Sequence, residues 1–418
     1  MKRRTARTAT LKVRRSKWTA RILLTNVSCR VKSLIILCAA SLSALLTFSS
    51  NWLALRPWRR AADRHWTERA RLLFPVRRAA ATTLWVLPAT LSLVAWLAFP
   101  EESPHWSLVM LASLVGGIAG TLPLDRAMFP RIPTRELLRQ CAVSWLAQFL
   151  TWGVFLASIT LMPDVFDWRA ALITLAVLVL LFFWSRVGAL GLYRMLGLCA
   201  QAPERLLGIV RDTAGKMNVP YGDVWLLRSP FANAFAVPAS GRLLFSERLL
   251  AVLSDAEISA VCAHELAHLT EKRSEYLLRY LAWLTFLPWI FLHPLLHRFG
   301  MGGFFLLLML LILVPKIVRG ISQKLEKRAD SIAHGHVAEP GVYASALARI
   351  HEDGLLPAVS VRKVGSHPDL YDRMEAAGIT PDFPRPARPD NMSWHGTLFS
   401  VALGIVAMMS ILKYLYER

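Results

Sequence analysis

Apolar runs of bilayer length recur along most of this chain, and they restrict its fold more than any other feature. Segments at about 34–55, 81–99, 106–123, 140–162 and 169–194 fall near the ~17–25 residues that a helix needs to cross a hydrocarbon core. Tyr276 to Leu296 and Gly303 to Val318 are two further runs, joined by the short turn His297-Arg298-Phe299-Gly300, and read as a transmembrane hairpin. A last run, Leu398 to Leu412, makes a C-terminal span or membrane-packed helix. With 55% hydrophobic residues and a mean hydropathy of +0.40 over 418 residues, the chain is too apolar for a soluble protein of its length. An integral, multi-pass and mostly α-helical membrane protein is expected.

A formal charge of +21 taken by itself suits a nucleic-acid partner, but its placement argues against one. Residues 1–80 hold 19 Lys and Arg against Asp63 and Glu68, so a net +17 sits in the first fifth of the chain. A basic block beside apolar spans fits cytoplasmic anchoring and contact with anionic membrane lipid. Residues 1–32 carry no acid and read as a basic tail ahead of a hydrophobic anchor rather than a cleaved signal. Both flanks of the 34–55 run are basic, which leaves its topology open between spanning, re-entrant and interfacial. The five cysteines, Cys29, Cys38, Cys141, Cys199 and Cys262, are scattered without a C-x-x-C pair, so neither a disulfide framework nor a thiolate metal site is indicated.

Glu101-Glu102-Ser103 and Pro163 to Asp167 link spans without Lys or Arg, whereas the turn between them carries Arg126, Arg131, Arg135 and Arg139. The positive-inside rule puts residues 56–80 and 125–139 in the cytoplasm and the acidic links outside. The chain then re-enters the cytoplasm after about residue 194. Residues 196–275 read as mixed α and β: an amphipathic helix over about 203–217, then strand-like runs Val224 to Leu227, Ala234 to Val237 and Arg242 to Phe245. An exposed edge strand there could pair with an extended peptide.

Next comes Ser254-Asp255-Ala256-Glu257, a capping-box pattern that predicts a helix from near Asp255. Within that helix lies His264-Glu265-Leu266-Ala267-His268. Imidazoles four residues apart stand on one helical face and can share a cation, while Glu265 can reach a water bound to it. H-E-x-x-H also arises by chance in helices rich in His and Glu. A catalytic zinc takes three protein ligands, and Glu326, directly after the hairpin, could complete a His2Glu set. Asp330, one turn on, could accept a hydrogen bond from a ligand imidazole and fix its tautomer. Taken alone, Glu326-x-x-x-Asp330 among Lys and Arg reads as a solvated helix face. His293 and His297, four apart with Pro294 between them at a membrane edge, favour interfacial packing over a second metal site. His334 and His336, two apart, read as loop histidines rather than ligands.

Four motifs in order carry a resemblance: Asn233-Ala234-Phe235-Ala236-Val237-Pro238, the H-E-x-x-H helix, Glu326-x-x-x-Asp330 after the hairpin, and Ser366-His367-Pro368 running on to Arg373. Over about 200–380 the chain resembles HtpX-type membrane zinc endopeptidases and their CAAX-prenyl-endopeptidase relatives. The resemblance implies one zinc per chain, bound by His264, His268 and Glu326, with Glu265 as general base and Asp330 supporting a ligand. It places Asn233 to Val237 beside the cleft, and Asn233, His367 and Arg373 near substrate or transition state. It departs from the family where Ala239-Ser240 replace a Gly-Gly, leaving Gly241 one step later, and in the extra spans before residue 195.

The expected architecture is a multi-span helical membrane protein with a cytoplasmic α+β zincin-like metalloprotease domain interrupted by a transmembrane hairpin. Its segments are a basic extension with an apolar anchor (1–80), membrane spans (81–195), the first protease part with the H-E-x-x-H helix (196–275), the hairpin (276–318), the second protease part (319–392) and a C-terminal apolar span (396–414). The expected activity is zinc-dependent hydrolysis of membrane-associated or misfolded proteins at the cytoplasmic face, in an HtpX-like quality-control role, placed in a bacterial inner membrane. Two alternatives stay open: a membrane sensor that signals by cleaving a regulator, and a non-enzymatic scaffold. The links outside the membrane are short, which offers the sensor little ligand-binding domain, and His264, Glu265, His268 and Glu326 are all present, which disfavours the scaffold. Partners are a protein or peptide substrate and membrane lipid, with oligomeric state open.

Overall fold

The computed structural model describes residues 30–99, 106–238, 240–272, 287–336, 341–360, 369–376 and 378–416. These fall into two compact units, one of residues 1–128 with 390–418 and the other of 129–389. Six described helices are long and apolar enough to cross a membrane.

In the first unit, α1 (Arg30–Arg60) is followed by α2 (Trp66–Ala98), α3 (Trp106–Gly120) and α4 (Leu122–Met128). The stretch expected as a cytoplasmic link, 56–80, is largely helical: α2 begins at Trp66, where His65 Nδ1 accepts a hydrogen bond from Thr67 N–H. The expected boundary at residue 80 therefore falls inside a single helix. α1 and α3 approach so closely that a Cβ on Gly116 would lie 2.0 Å from the Ala40 carbonyl oxygen, and one on Gly120 2.6 Å from that of Ala44. Small residues four apart on both helices permit this contact, as is usual where lipid supplies no hydrophobic drive.

In the second unit, α5 (Thr134–Leu161) and α6 (Trp168–Phe183) flank the Pro163 to Asp167 link. Asp167 caps α6 by accepting from Arg169 and Ala170 N–H. A one-turn π-bulge at Trp184–Gly188 joins α6 to α7 (Ala189–Met195). A four-stranded sheet follows, with β1 (Cys199–Gln201), β2 (Val224–Leu227), β3 (Ala234–Val237) and β4 (Arg242–Ser246) in the order β1-β2-β4-β3. β2 runs parallel to β4, and the β1/β2 and β3/β4 pairs are antiparallel. The last three strands lie where alternation and β-branched or aromatic content predict them. β1, only three residues long, is too short to carry a periodic signal.

Between β1 and β2 lies α8 (Glu204–Met217), closed by Asn218 in the left-handed region at φ 52°. After β4 come α9 (Glu247–Val252) and α10 (Asp255–Leu269), the helix of the two histidines. The β3–β4 turn ends at Gly241 with φ +63°, a conformation that suits glycine and explains why a glycine stands there although Ala239-Ser240 replace the expected pair. Leu206 and Val210 of α8, Leu243 and Phe245 of β4, and Ile258, Cys262 and Leu266 of α10 form one buried cluster. That cluster clamps α10 between the sheet and α8.

Most of the first hairpin arm lies outside the described residues. The chain resumes in a short 3-10 turn, Leu287–Phe291, and α11 (Leu292–Phe299). It reverses at Gly300 into α12 (Met301–His336). α12 is unbroken across the expected boundary at residue 318, so a single helix carries both the apolar span and Glu326. His334 and His336 form its last turn, correcting their assignment to a loop. Their Nδ1 atoms bond to the carbonyls of Asp330 and Ile332, one turn back, which holds the helix to its end. α13 (Val342–Asp353) and α14 (Leu370–Ala376) complete this unit. α15 (Trp394–Tyr416) belongs to the first unit, where it packs on α2.

Candidate metal centre

α10 starts where its cap allows. Ser254 Oγ accepts from Glu257 N–H, and Glu257 reaches back to Ser254 N–H at 2.9 Å. From that start, His264 and His268 fall on the face turned toward α12, and their Nε2 atoms lie 3.2 Å apart. α12 brings in Glu326, with Oε2 3.4 Å from His264 Nε2 and Oε1 3.7 Å from His268 Nε2. All three side chains are buried, and their donor atoms lie within 4.8 Å of one another.

Donors about 2.0–2.1 Å from a tetrahedral zinc lie roughly 3.3 Å from each other. The three observed separations bracket that value, so the residues fit a zinc ion or a similar dication. Two imidazoles and a carboxylate also match the His2Glu donor set of catalytic zinc sites, which keep one position for water.

Electrostatics favour a cation at this point. Burial opposes charge on the His264 imidazole, but contacts with Asp330 and Glu326 and the nearby charge of Glu265 outweigh it, lifting its pKa to about 9. Carboxylates that favour a proton there also favour a metal ion. Glu265, between the histidines in sequence and buried, accepts a 2.7 Å hydrogen bond from Ala236 N–H on β3. In the β3/β4 ladder Ser246 N–H bonds to the Asn233 carbonyl. Alternation from there turns the backbone groups of Ala234 and Ala236 toward the free edge. α10 and the sheet edge therefore meet at Glu265.

The outer nitrogens of both imidazoles are engaged. His268 Nδ1 lies 2.7 Å from Glu271 Oε1, whose side chain is 1% exposed. His264 Nδ1 lies 2.7 Å from the Tyr343 hydroxyl and 3.0 Å from Asp330 Oδ1. Arg373 donates from Nη2 to both Asp330 Oδ1 and the Tyr343 oxygen, the latter at 2.7 Å. Burial pushes the Tyr343 phenol well above its usual pKa, so the hydroxyl keeps its proton.

A cleft of about 480 Å³ opens over the three donors, with Asn233 to Ala236 along one side. Val261, Leu347, Ile350, Leu356 and Leu370 give it an apolar wall. Arg373 reaches this cleft, and its Nη2 bonds behind His264 to Asp330 and Tyr343. Asn233 also lines the cleft, with its Oδ1 accepting from Ala234 N–H. His367 lies outside the described residues.

Tyr343 and Glu271 are absent from the sequence reading. Glu271 carried a usable signal, since it follows His268 by three residues at the end of a helix, where a carboxylate can reach back to the ring. Tyr343 lies 79 residues from His264 and carried none.

Residues 200–379 match Peptidase family M48. A protease HtpX homolog from Picrophilus torridus is 30% identical over 135 residues, covering 30% of this chain and 44% of that protein. Another from Acaryochloris marina is 32% identical over 168 residues, covering 37% and 57%, and one from Methylibium petroleiphilum is 31% identical over 94, covering 22% and 33%. The chain thus spans between a third and somewhat over half the length of these curated relatives. Residues 200–379 are thus similar to the M48 peptidases and to proteins named as protease HtpX homologs, in a chain with six described helices long and apolar enough to cross a membrane.

Proposed function

We propose that this M48-type chain is a zinc endopeptidase that hydrolyses peptide bonds of membrane-associated or misfolded proteins beside the bilayer, on the cytoplasmic side. The observation that carries this reading is the convergence of His264, His268 and Glu326 next to Glu265 at a sheet edge. Zinc held by the three donors would supply an acidified water and a polarised scissile carbonyl.

The chain's own groups account for the remaining work. Glu265 is placed to take the proton from the attacking water and pass it to the leaving amine, because its carboxylate sits one residue from His264 on the same helix and faces the cleft. The 2.7 Å bond from Ala236 N–H orients that carboxylate. The outer edge of β3 offers the Ala234 and Ala236 carbonyls to an extended substrate, aligning the scissile bond along the strand, while the N–H groups of these two residues are engaged by Asn233 and Glu265. Glu326 holds its position because α12 continues unbroken from the apolar segment, about eight residues or ~12 Å beyond residue 318. This continuity supports a reading in which hydrolysis occurs close to the membrane surface, on substrates presented there, as expected of quality control on membrane proteins.

The test is elemental analysis of the purified full chain and of Glu326→Ala, with casein or self-cleavage assays that include Glu265→Ala. About one zinc per chain is expected in wild type and in Glu265→Ala, with cleavage abolished in the latter and metal lost in Glu326→Ala. Folded wild-type protein that binds no zinc and leaves casein intact would overturn the reading in favour of a scaffold.

A further inference from the structure

We propose that Tyr343 is a positioning residue of the metal centre, holding His264 with its Nε2 lone pair aimed at the site. The inference rests on the zinc reading above and concerns what orients its first ligand.

His264 coordinates through Nε2, the nitrogen that faces His268 and Glu326. Its Nδ1 must therefore carry the proton and needs an acceptor. Asp330 is the acceptor suggested by sequence, at 3.0 Å. The Tyr343 oxygen is closer, at 2.7 Å. Asp330 Oδ1 is also shared among three donors: the His264 ring, the Tyr343 hydroxyl at 2.8 Å, and Arg373. The Tyr343 oxygen meets the geometry of a relay, accepting from His264 Nδ1 and Arg373 Nη2 and donating its own proton to Asp330.

Every hydrogen-bonding capacity of this hydroxyl is used, in a side chain that is 2% exposed. The Tyr343 ring lies 24° from parallel to the His264 ring, with centroids 5.7 Å apart, and limits its rotation. Buried polar groups that are fully paired in this way set a unique geometry, and removing one member leaves the others short of a partner. α13 holds the tyrosine there through a second contact, since Ser345 donates to the buried Glu257 of α10 at 2.8 Å.

The test compares Tyr343→Phe, Tyr343→Ala and wild type as full chains in detergent. Zinc dissociation constants come from competition with a chromogenic chelator, unfolding midpoints from heating, and kcat and KM from a peptide assay. The Phe variant keeps the ring and loses only the hydroxyl. It is expected to bind zinc about 10–100-fold more weakly, the range seen when a ligand's outer partner is removed. KM should be unchanged, and the unfolding midpoint should stay much closer to wild type than that of Tyr343→Ala. Wild type and Tyr343→Phe binding zinc equally tightly would overturn the role while leaving the protease reading intact. A Phe variant as destabilised as the Ala variant would make the tyrosine a packing residue and overturn it too. Wild type that binds no zinc would overturn both proposals together.

Discussion

Glu271 shows how a single residue beyond a motif can complete it. α10 ends at Leu269, and Glu271 N–H still bonds to the His268 carbonyl, so the chain curls under the second histidine and delivers a carboxylate to its Nδ1. A carboxylate there raises the basicity of the ligand and fixes its tautomer. Glu271→Gln keeps the shape and removes the charge. It is expected to weaken zinc retention by roughly tenfold or more, read as faster zinc loss to a chelator. Retention equal to wild type would leave the carboxylate without a role at the metal. The pair on one helix face, His264 and His268, is legible in sequence because four residues make one helical turn. Glu271 needs knowledge of where the helix stops, and Tyr343 needs the fold itself, because its contact with His264 crosses three elements. Arg373 is legible as a residue near the site, but not as the donor that holds Asp330 and Tyr343 in place.

At the scale of elements, the capping box at the start of α10 does more than its pattern announces. Ser254 and Glu257 satisfy each other's orphan donors, as the spacing predicts. Yet Glu257 is buried, and it also accepts from Ser345 at 2.8 Å and pairs with Arg349 at 3.2 Å, both on α13. One carboxylate thus caps the helix of the histidines and anchors the helix of Tyr343. Ser254→Ala removes only a cap and should cost about 1 kcal/mol. Glu257→Ala removes hydrogen bonds to a charged acceptor on two helices and should cost roughly 2–3 kcal/mol. Unfolding midpoints of the two variants decide the matter: equal shifts would mean that the α13 contacts contribute nothing. Other elements sort by the strength of their local signal. The amphipathic helix at 203–217 and three strands are readable from periodicity. α12 is readable as a span and again as a motif, but not as one helix, because the change from apolar to charged residues at 319 looks like an ending. Pro315 removes one rung of the hydrogen-bond ladder four residues earlier, yet the helix continues through 319.

At the scale of the whole molecule, charge placement makes a claim about sidedness that the helices allow to be tested. The span of Trp168–Met195 is 28 residues, or about 42 Å at 1.5 Å per residue, more than the ~30 Å of a hydrocarbon core. A crossing by this helix predicts that residues before and after it face opposite sides of the membrane. Asp164 lies before it, in a link without Lys or Arg, and is exposed. Lys216, exposed on α8, lies after it in the segment that matches the M48 family. The basic stretches at 56–80 and 125–139, with most of the chain's +21 charge nearer the N-terminus, are the basis for proposing that this domain faces the cytoplasm. The prediction uses a chain whose native cysteines are replaced and in which Asp164→Cys or Lys216→Cys is introduced singly. A membrane-impermeant maleimide added to intact cells should label Cys at position 164 and spare Cys at position 216, which should react only after the membrane is opened. The reverse pattern would put the metal centre outside and overturn the cytoplasmic assignment. Labelling of both positions from outside would show that this helix does not cross the membrane.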